Sequence, residues 1–385
     1  DRRQRKLTRN QLFAASMLLY PKWYDPFHDR LCSFEHATAT LTAAARTWRD
    51  DHAGWDAHGM KLWKRKPLQA FFGRYKPVKF ATKIGARRQM VWAGKTTEAI
   101  EMHGVSRIEY GFLRSRGLGA DLIPPLSLVV DDLGIYYDPS RPSRLETLIE
   151  ASAALSDADR RRAEALIATL IGERLSKYNL GGANVADLPT GRRILVPGQV
   201  EDDASIRLGA TDVTTNHGLL AAARKANPAA VIIYKPHPDV EAGLRKGTVS
   251  EATSLADVVA TKADPLALID QVDEVWTMTS LLGFEALLRG KKVTCLGSPF
   301  YAGWGLTDDR AMPVTRRSAS PDVIALAHAV LIDYPRYFDP KSGLPCPVEV
   351  AVERLATGDI PRPSQFNRIA AKLQGAFASY AHLWR

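Results

Sequence analysis

From about residue 88 onward, short apolar runs alternate with amphipathic stretches. Met90-Val91-Trp92, Arg107-Ile108-Glu109 ending at Gly111, and residues 126–130 read as strands, and residues 156–178 read as a charged amphipathic helix. Asn179-Leu180-Gly181-Gly182-Ala183-Asn184, followed by Pro189-Thr190-Gly191, is the clearest linker in the chain. Beyond it the pattern restarts, with strands predicted at 193–196, 231–234, 274–277 and 292–296. Helices at 216–226, 265–270 and 282–289 separate them. Strands alternating with helices argue for parallel sheets, here one on each side of the linker, the second Rossmann-like. Residues 35–75 scatter Trp48, Trp55, Trp63, Phe71 and Phe72 among lysines and arginines and read as helix and loop.

An internal repeat cuts across this division. Tyr20-Pro21-Lys22-Trp23-Tyr24-Asp25-Pro26 matches Tyr334-Pro335-Arg336-Tyr337-Phe338-Asp339-Pro340, and Cys32 and Cys346 stand at the same offset from their copies. Each copy follows an amphipathic stretch, 10–19 and 322–333. The expected organisation is therefore 1–34, the tail of a preceding repeat module; 35–190, a first Rossmann-like domain; 191–345, a second; and 346–385, with helices over 364–384 crossing back to the first. The expected fold class is α/β, and two such domains facing a cleft would be compatible with a GT-B glycosyltransferase architecture. By the repeat, the parent chain carries a second, related module.

Composition narrows the partners. The 385 residues are 45% hydrophobic and 24% charged, which excludes collagen-like and wholly disordered chains. Lys and Arg outnumber Asp and Glu by 52 to 42, so a net charge of +10 points to an anionic partner: a nucleic acid, an anionic membrane surface, or a small phosphate- and carboxylate-bearing substrate. Cys32, Cys295 and Cys346 form no CxxC or Cys/His spacing, so neither a disulfide framework nor a zinc site is encoded, and a reducing compartment is expected. No run approaches the roughly 20 apolar residues that span a bilayer, which predicts a soluble or peripheral protein.

Four clusters fall at the carboxyl ends of predicted strands, where open α/β sheets bind ligands. Glu109-Tyr110-Gly111-Phe112-Leu113-Arg114 offers a strand-end carboxylate, a glycine allowing close approach and an arginine. Gln199-Val200-Glu201-Asp202-Asp203-Ala204-Ser205 brings three successive carboxylates to the first loop of the second domain, more than a helix cap needs. In Tyr234-Lys235-Pro236-His237-Pro238 two prolines hold a histidine rigidly, suited to gripping a phosphate. Thr279-Ser280, followed by Gly283 and Glu285, sets hydroxyls and free backbone N–H groups at a helix start, an anion site, with a glutamate one turn in for ribose hydroxyls. No Gly-rich phosphate motif is present, which weighs against dehydrogenases and P-loop enzymes. The pairs Asp131-Asp132, Asp202-Asp203 and Asp308-Asp309 lack metal-site surroundings, and no metal or other cofactor is expected.

Together these blocks, with Gly297-Ser298-Pro299-Phe300-Tyr301-Ala302-Gly303-Trp304-Gly305, resemble the capsule polysaccharide β-Kdo transferases of the KpsC type, among the CMP-sugar-dependent GT-B enzymes. The resemblance runs from about residue 90 to 345. It implies a retaining glycosyltransferase that moves Kdo (3-deoxy-D-manno-octulosonic acid) from CMP-β-Kdo to a β-Kdo-terminated phospholipid, building the poly-Kdo linker of Gram-negative capsules. The C-terminal module is expected to form the β-(2→7) linkage. By similarity, Asp203 is the nucleophile of a covalent adduct, Glu109 the acid/base and His237 the group on the CMP phosphate. Gln199, Asp202, Ser205, Lys235, Pro238, Thr279, Ser280, Gly283 and Glu285 are expected at the donor, and Arg114, Tyr301 and Trp304 at the substrate. The family's acid-acid-Gly appears here as Glu109-Tyr110-Gly111, so Glu109 alone supplies a carboxylate there.

A cytoplasmic enzyme peripheral on the inner face of the inner membrane is implied, with no nucleic-acid partner. The basic N-terminal segment and residues 61–66 are candidate membrane-facing patches. Two rivals stay open: a sialyltransferase-like enzyme using another CMP-sugar, and an inactive glycolipid-binding scaffold module.

Overall fold

The computed structural model describes residues 6–81, 83–117, 123–183 and 188–360. The helices expected over 364–384 lie outside these residues.

The first sheet has seven strands, built from β3 (Trp55–His58), β4 (Lys79–Phe80), β5 (Arg88–Trp92), β6 (Val105–Tyr110) and β7 (Ser127–Asp131), joined much later by β14 (Pro335–Asp339) and β15 (Leu344–Cys346). Its order is β15-β14-β7-β6-β5-β3-β4. β4, β3, β5 and β6 run parallel, whereas β7, β14 and β15 are each antiparallel to the neighbour that precedes them in the chain. The sheet is thus mixed.

The second sheet collects β8 (Arg193–Pro197), β9 (Val231–Lys235), β10 (Val258–Val259), β11 (Glu274–Thr277), β12 (Lys292–Cys295) and β13 (Asp308–Asp309) in the order β10-β9-β8-β11-β12-β13, every pair parallel. That is the doubly wound order, and its direction reverses between β8 and β11, where such sheets open a crevice for ligands. Four central strands are buried on both faces, which is why they read as short apolar runs. Helix Asn216–Ala226 stacks Leu219, Leu220 and Ala223 on this sheet, and its start is capped by Thr215.

The chain leaves the second sheet and returns to the first at Pro335, so the domain limit expected at residue 345 falls inside a hairpin that belongs to the first sheet. The return is driven by burial: Tyr334 and Tyr337 are enclosed, the Tyr334 hydroxyl donates to Asp131 Oδ2 at 2.8 Å, and the Arg336 guanidinium pairs with buried Asp51 at 2.8 Å. One apolar cluster runs from Phe112 and Val129 of the first unit through Phe284 and Phe300 to Leu195 and Val275 of the second, so the sheets share a core.

The repeated sequence is a repeated structure. A short helix Arg9–Phe13 passes into a π-helix, Ala14–Leu19, and then into the hairpin of β1 (Trp23–Asp25) and β2 (Arg30–Cys32). Its twin is helix Val323–Ala327, π-helix His328–Asp333 and the β14–β15 hairpin. The registers correspond residue for residue: Trp23 faces Cys32 and Asp25 faces Arg30, as Tyr337 faces Cys346 and Asp339 faces Leu344. Even the π-turn bond recurs, Tyr20 N to Ala15 O at 3.1 Å and Tyr334 N to Ala329 O at 3.0 Å.

Candidate active site

A cleft of about 890 Å³ lies between the carboxyl ends of the two sheets. Glu109 and Tyr110 reach it from β6, and Gly198, Gln199, Asp203 and Ser205 from the loop after β8. Lys235 to Pro238 enter after β9, Thr279 to Leu282 after β11, and Pro299 and Phe300 after β12.

On the second-sheet wall, three functional side chains each begin a helix. Asp203 caps Ala204–Gly209, His237 caps Pro238–Glu241 and Ser280 caps Leu281–Leu288. Asp203 Oδ1 accepts from the Ser205 N–H at 3.0 Å and from the Ser205 hydroxyl at 2.8 Å, and Oδ2 makes no hydrogen bond among the described residues. His237 Nδ1 accepts from the Asp239 N–H at 3.1 Å, and burial pushes its pKa down, so the ring is held neutral with its proton on Nε2. The crevice between β8 and β11 is bridged by Gln199: its amide donates to Thr279 Oγ1 at 3.0 Å, and its carbonyl accepts from Thr279 N at 3.0 Å. Lys235 is buried with its ammonium on Pro236 O at 2.8 Å and Glu241 at 3.2 Å.

The opposite wall carries one acid. Glu109 stands at the end of β6, where its Oε1 accepts from the Tyr110 N–H at 2.9 Å. Burial raises its pKa, Lys64 works against that rise, and the charge of Asp203 adds to it. Lys64 comes from helix Leu62–Phe72, its ammonium 2.9 Å from the centroid of the Trp92 ring, and burial pushes it down to about 7. Tyr110 is fixed between Trp92, 4.8 Å away ring to ring, and the Arg114 guanidinium, 4.2 Å from its centroid. A side chain at Gly111 would meet Ser127 Oγ at 2.4 Å, so glycine there lets β6 lie close on β7.

The geometry corrects five expected site residues. Asp202 does not line the cleft and pairs with Arg245 at 2.9 Å, whereas Asp203, exposed like it, does line the cleft. Arg114 is 1% exposed and binds the Ser115 hydroxyl at 2.9 Å, bracing Tyr110 instead of meeting substrate. Gly283 packs where a Cβ would meet the Tyr301 hydroxyl at 2.3 Å. Tyr301 is buried and donates to Ser280 O, steadying the helix start from behind, and Trp304 is buried with its indole N–H on Phe300 O at 2.8 Å. Both aromatic rings lie in a loop folded into the core, where Arg317 ties Pro299 O at 2.6 Å and Ala302 O at 2.7 Å.

Pro238, Thr279, Ser280 and Glu285 line the cleft. Glu285 accepts from the Lys177 N–H at 3.2 Å, and burial raises it to about 7. Lys177, on the loop between the sheets, and Lys64 are cationic neighbours of Glu109 that sequence reasoning missed. Lys64 falls within 61–66, expected to face a membrane, yet it turns inward. Residues 1–5 of the basic N-terminal segment lie outside the described residues. Among the described residues no group of three His, Cys, Asp or Glu side chains is placed to hold a metal ion, and no helix is long and apolar enough to cross a membrane.

Comparison with known proteins follows the same outline. The capsule polysaccharide biosynthesis protein family matches residues 85–180 and 182–337. The capsule polysaccharide modification protein LipA of Neisseria meningitidis serogroup B is 42% identical over 375 residues, 91% of this chain and 53% of LipA. The lipopolysaccharide-processing protein LpsZ of Rhizobium meliloti is 41% identical over 322 residues, 77% of this chain and 73% of LpsZ. The chain thus spans about half the length of LipA. Two solved structures of Thermosulfurimonas dismutans KpsC superpose over 79% of this chain. Its β-Kdo 2,4 transferase gives a TM-score of 0.71 at 32% identity over 98% of that structure, and its β-Kdo 2,7 transferase gives 0.65 at 33% over 99%.

Proposed function

The chain belongs to the capsule polysaccharide biosynthesis protein family and is a homologue of KpsC-type β-Kdo transferases, and from that premise we propose that it transfers Kdo from CMP-β-Kdo to a β-Kdo-terminated glycolipid with retention of configuration. The observation that carries the reading is one cleft holding Glu109 from the first sheet and Asp203 and His237 from the second, close enough that the Asp203 charge adds to the rise of Glu109 and opposes the burial that lowers His237. The architecture we assign is GT-B, acceptor on the first sheet and CMP-sugar on the second.

The chemistry divides across the cleft. Asp203 Oδ2 attacks the anomeric carbon, the bond to the CMP phosphate breaks with its electron pair, and a glycosyl ester forms on Asp203. His237 Nε2–H and the free N–H groups after Ser280 receive the departing phosphate. Glu109 then takes the proton of the acceptor hydroxyl as that oxygen attacks the anomeric carbon, and the bond from that carbon to the Asp203 carboxylate breaks with its electron pair on the carboxylate. Arg114 lies away from the cleft, so the carboxylate of Kdo is left to Gln199, Lys235 and the newly identified Lys177. The +10 charge suits an anionic donor and acceptor and supports a place at the cytoplasmic face of the inner membrane.

The proposed linkage is β-(2→7). The higher TM-score of the 2,4 transferase favours a second reading, β-(2→4), which NMR of the product separates. The decisive experiment is intact-protein mass spectrometry after incubation with freshly generated CMP-Kdo and no acceptor. A Kdo-sized increase on the wild type and none on Asp203→Ala is expected. An adduct on both proteins relocates the nucleophile, and CMP release without any adduct overturns the covalent route. No turnover with CMP-Kdo but turnover with another CMP-sugar overturns the donor.

A further inference from the structure

The loop that follows β7 begins at the end of that strand away from the cleft, because β7 runs antiparallel to β6. It nevertheless returns to the cleft, and it is fixed from three sides. Asp131 Oδ1 accepts from the N–H groups of Leu133 at 3.0 Å, Gly134 at 2.8 Å and Arg144 at 3.1 Å, which closes the loop at its base. Arg316, from the second unit, donates to Pro139 O at 2.6 Å and Arg141 O at 2.8 Å. Tyr136 packs edge-on against Phe112 and Phe300, with ring centroids 4.8 and 6.0 Å away.

Tyr136 and Tyr137 both line the cleft, and the charges of Glu109 and Asp203 act on both hydroxyls. Neither hydroxyl makes a hydrogen bond among the described residues. Buried tyrosines elsewhere in the core do: Tyr301 donates to Ser280 O, Tyr334 to Asp131 at 2.8 Å and Tyr337 to Leu331 O at 2.6 Å. A phenol on a pinned loop, packed among rings and close to two acids, keeps its donor for a group that enters the cleft.

We infer that Tyr136 and Tyr137 donate hydrogen bonds to the carboxylate on the anomeric carbon of the transferred sugar and act as its neutral anchor. The inference rests on the Kdo transfer proposed above and adds two donors to it. Gln199 and Lys235, named there for this carboxylate, already have partners, the first in Thr279 and the second in Pro236 O and Glu241. As the bond to CMP breaks, the anomeric carbon gains positive charge, and the adjoining carboxylate stabilises it. A cation seated on that carboxylate would cancel this help, whereas a phenol fixes its direction and leaves its charge in place. The carboxylate must also enter beside Glu109 and Asp203, and O–H donors at that point offset the repulsion. Burial and the two acids raise the pKa of both phenols, so both stay protonated and able to donate.

The test compares CMP-Kdo with CMP, which has the nucleotide but no sugar carboxylate. Tyr136→Phe and Tyr137→Phe keep both rings and lose one hydroxyl each. With a synthetic β-Kdo glycoside as acceptor, kcat/KM for CMP release from CMP-Kdo should fall roughly ten- to a hundredfold in each variant, the usual worth of a hydrogen bond to a charged group. The Kd for CMP, read by calorimetry, and the melting temperature should stay at their wild-type values. A CMP affinity that falls as far as kcat/KM assigns the hydroxyls to the nucleotide or to the fold and overturns the inference. Wild-type kcat/KM in both variants and in the double variant overturns this inference alone and leaves the transferase standing. A wild type that releases no CMP from CMP-Kdo overturns the donor, and this inference with it.

Discussion

The two walls of the cleft solve different problems. The parallel wall fixes positions: Asp203, His237 and Ser280 each cap the start of a helix, so the hydrogen bond each side chain accepts from the first turn also orients it. The mixed wall tunes a proton. Glu109 has no helix behind it; burial raises its pKa and Lys64 lowers it, so its proton affinity is a balance between two large opposing effects. In the proposed mechanism a nucleophile and a phosphate-binding histidine need direction, whereas a general base needs the right affinity, and each proposed role falls on the wall suited to it.

The sharpest way to break this contrast is Asp203→Asn. Asparagine caps a helix as well as aspartate does, so stability should hold while kcat falls by roughly four to six orders of magnitude, as when other enzymes lose a nucleophile. Thermal melting and CMP release check both halves; a parallel loss of fold would mean that the carboxylate is structural.

Glu109→Gln should lower kcat by about 10²–10⁴, the usual range for a general base, and cause the Asp203 adduct to accumulate when acceptor is present. Mass spectrometry in the presence of acceptor reads this directly. Lys64→Met tests the tuning. Removing the cation that lowers the Glu109 pKa moves that pKa further up, so the acid limb of kcat/KM shifts to higher pH while activity well above it is largely retained. An unshifted limb would separate Lys64 from Glu109.

The smallest expected effect concerns stability. Glu285 is raised to about 7 by burial, and a carboxyl raised in the folded state contributes its stability below its unfolded value and loses it as pH climbs through the folded one. Glu285→Gln should therefore melt higher than the wild type above pH 7, with the advantage shrinking toward pH 4.5. Calorimetry across that window checks the sign.

Most of the second sheet was legible in the sequence because its strands are buried on both faces. The helix at Asn216–Ala226 and the strand at Glu274–Thr277 fall on the expected residues. β3 was missed, since Trp55-Asp56-Ala57-His58 is wholly buried yet half polar; His58 is satisfied by Gln89 at 2.7 Å, a partner that no local pattern announces. At the site, the strand-end clusters were legible as clusters but not by the direction of each side chain. Asp202 and Asp203 differ by one residue, yet only Asp203 lines the cleft while Asp202 pairs with Arg245. Arg114, Tyr301 and Trp304 carry substrate-binding chemistry but spend it on neighbours. Lys64 was invisible because its role exists only once helix Leu62–Phe72 lies across the ends of β5 and β6.

The return of the chain at Pro335 also sets a timetable. Residues 129 and 335 meet in one sheet, so while a ribosome makes the whole second sheet the β7 edge stays open, for on the order of ten seconds or more at about 5–20 residues per second. During that interval residues 9–32 have already emerged with the shape that fits this edge, ahead of the segment meant to fill it.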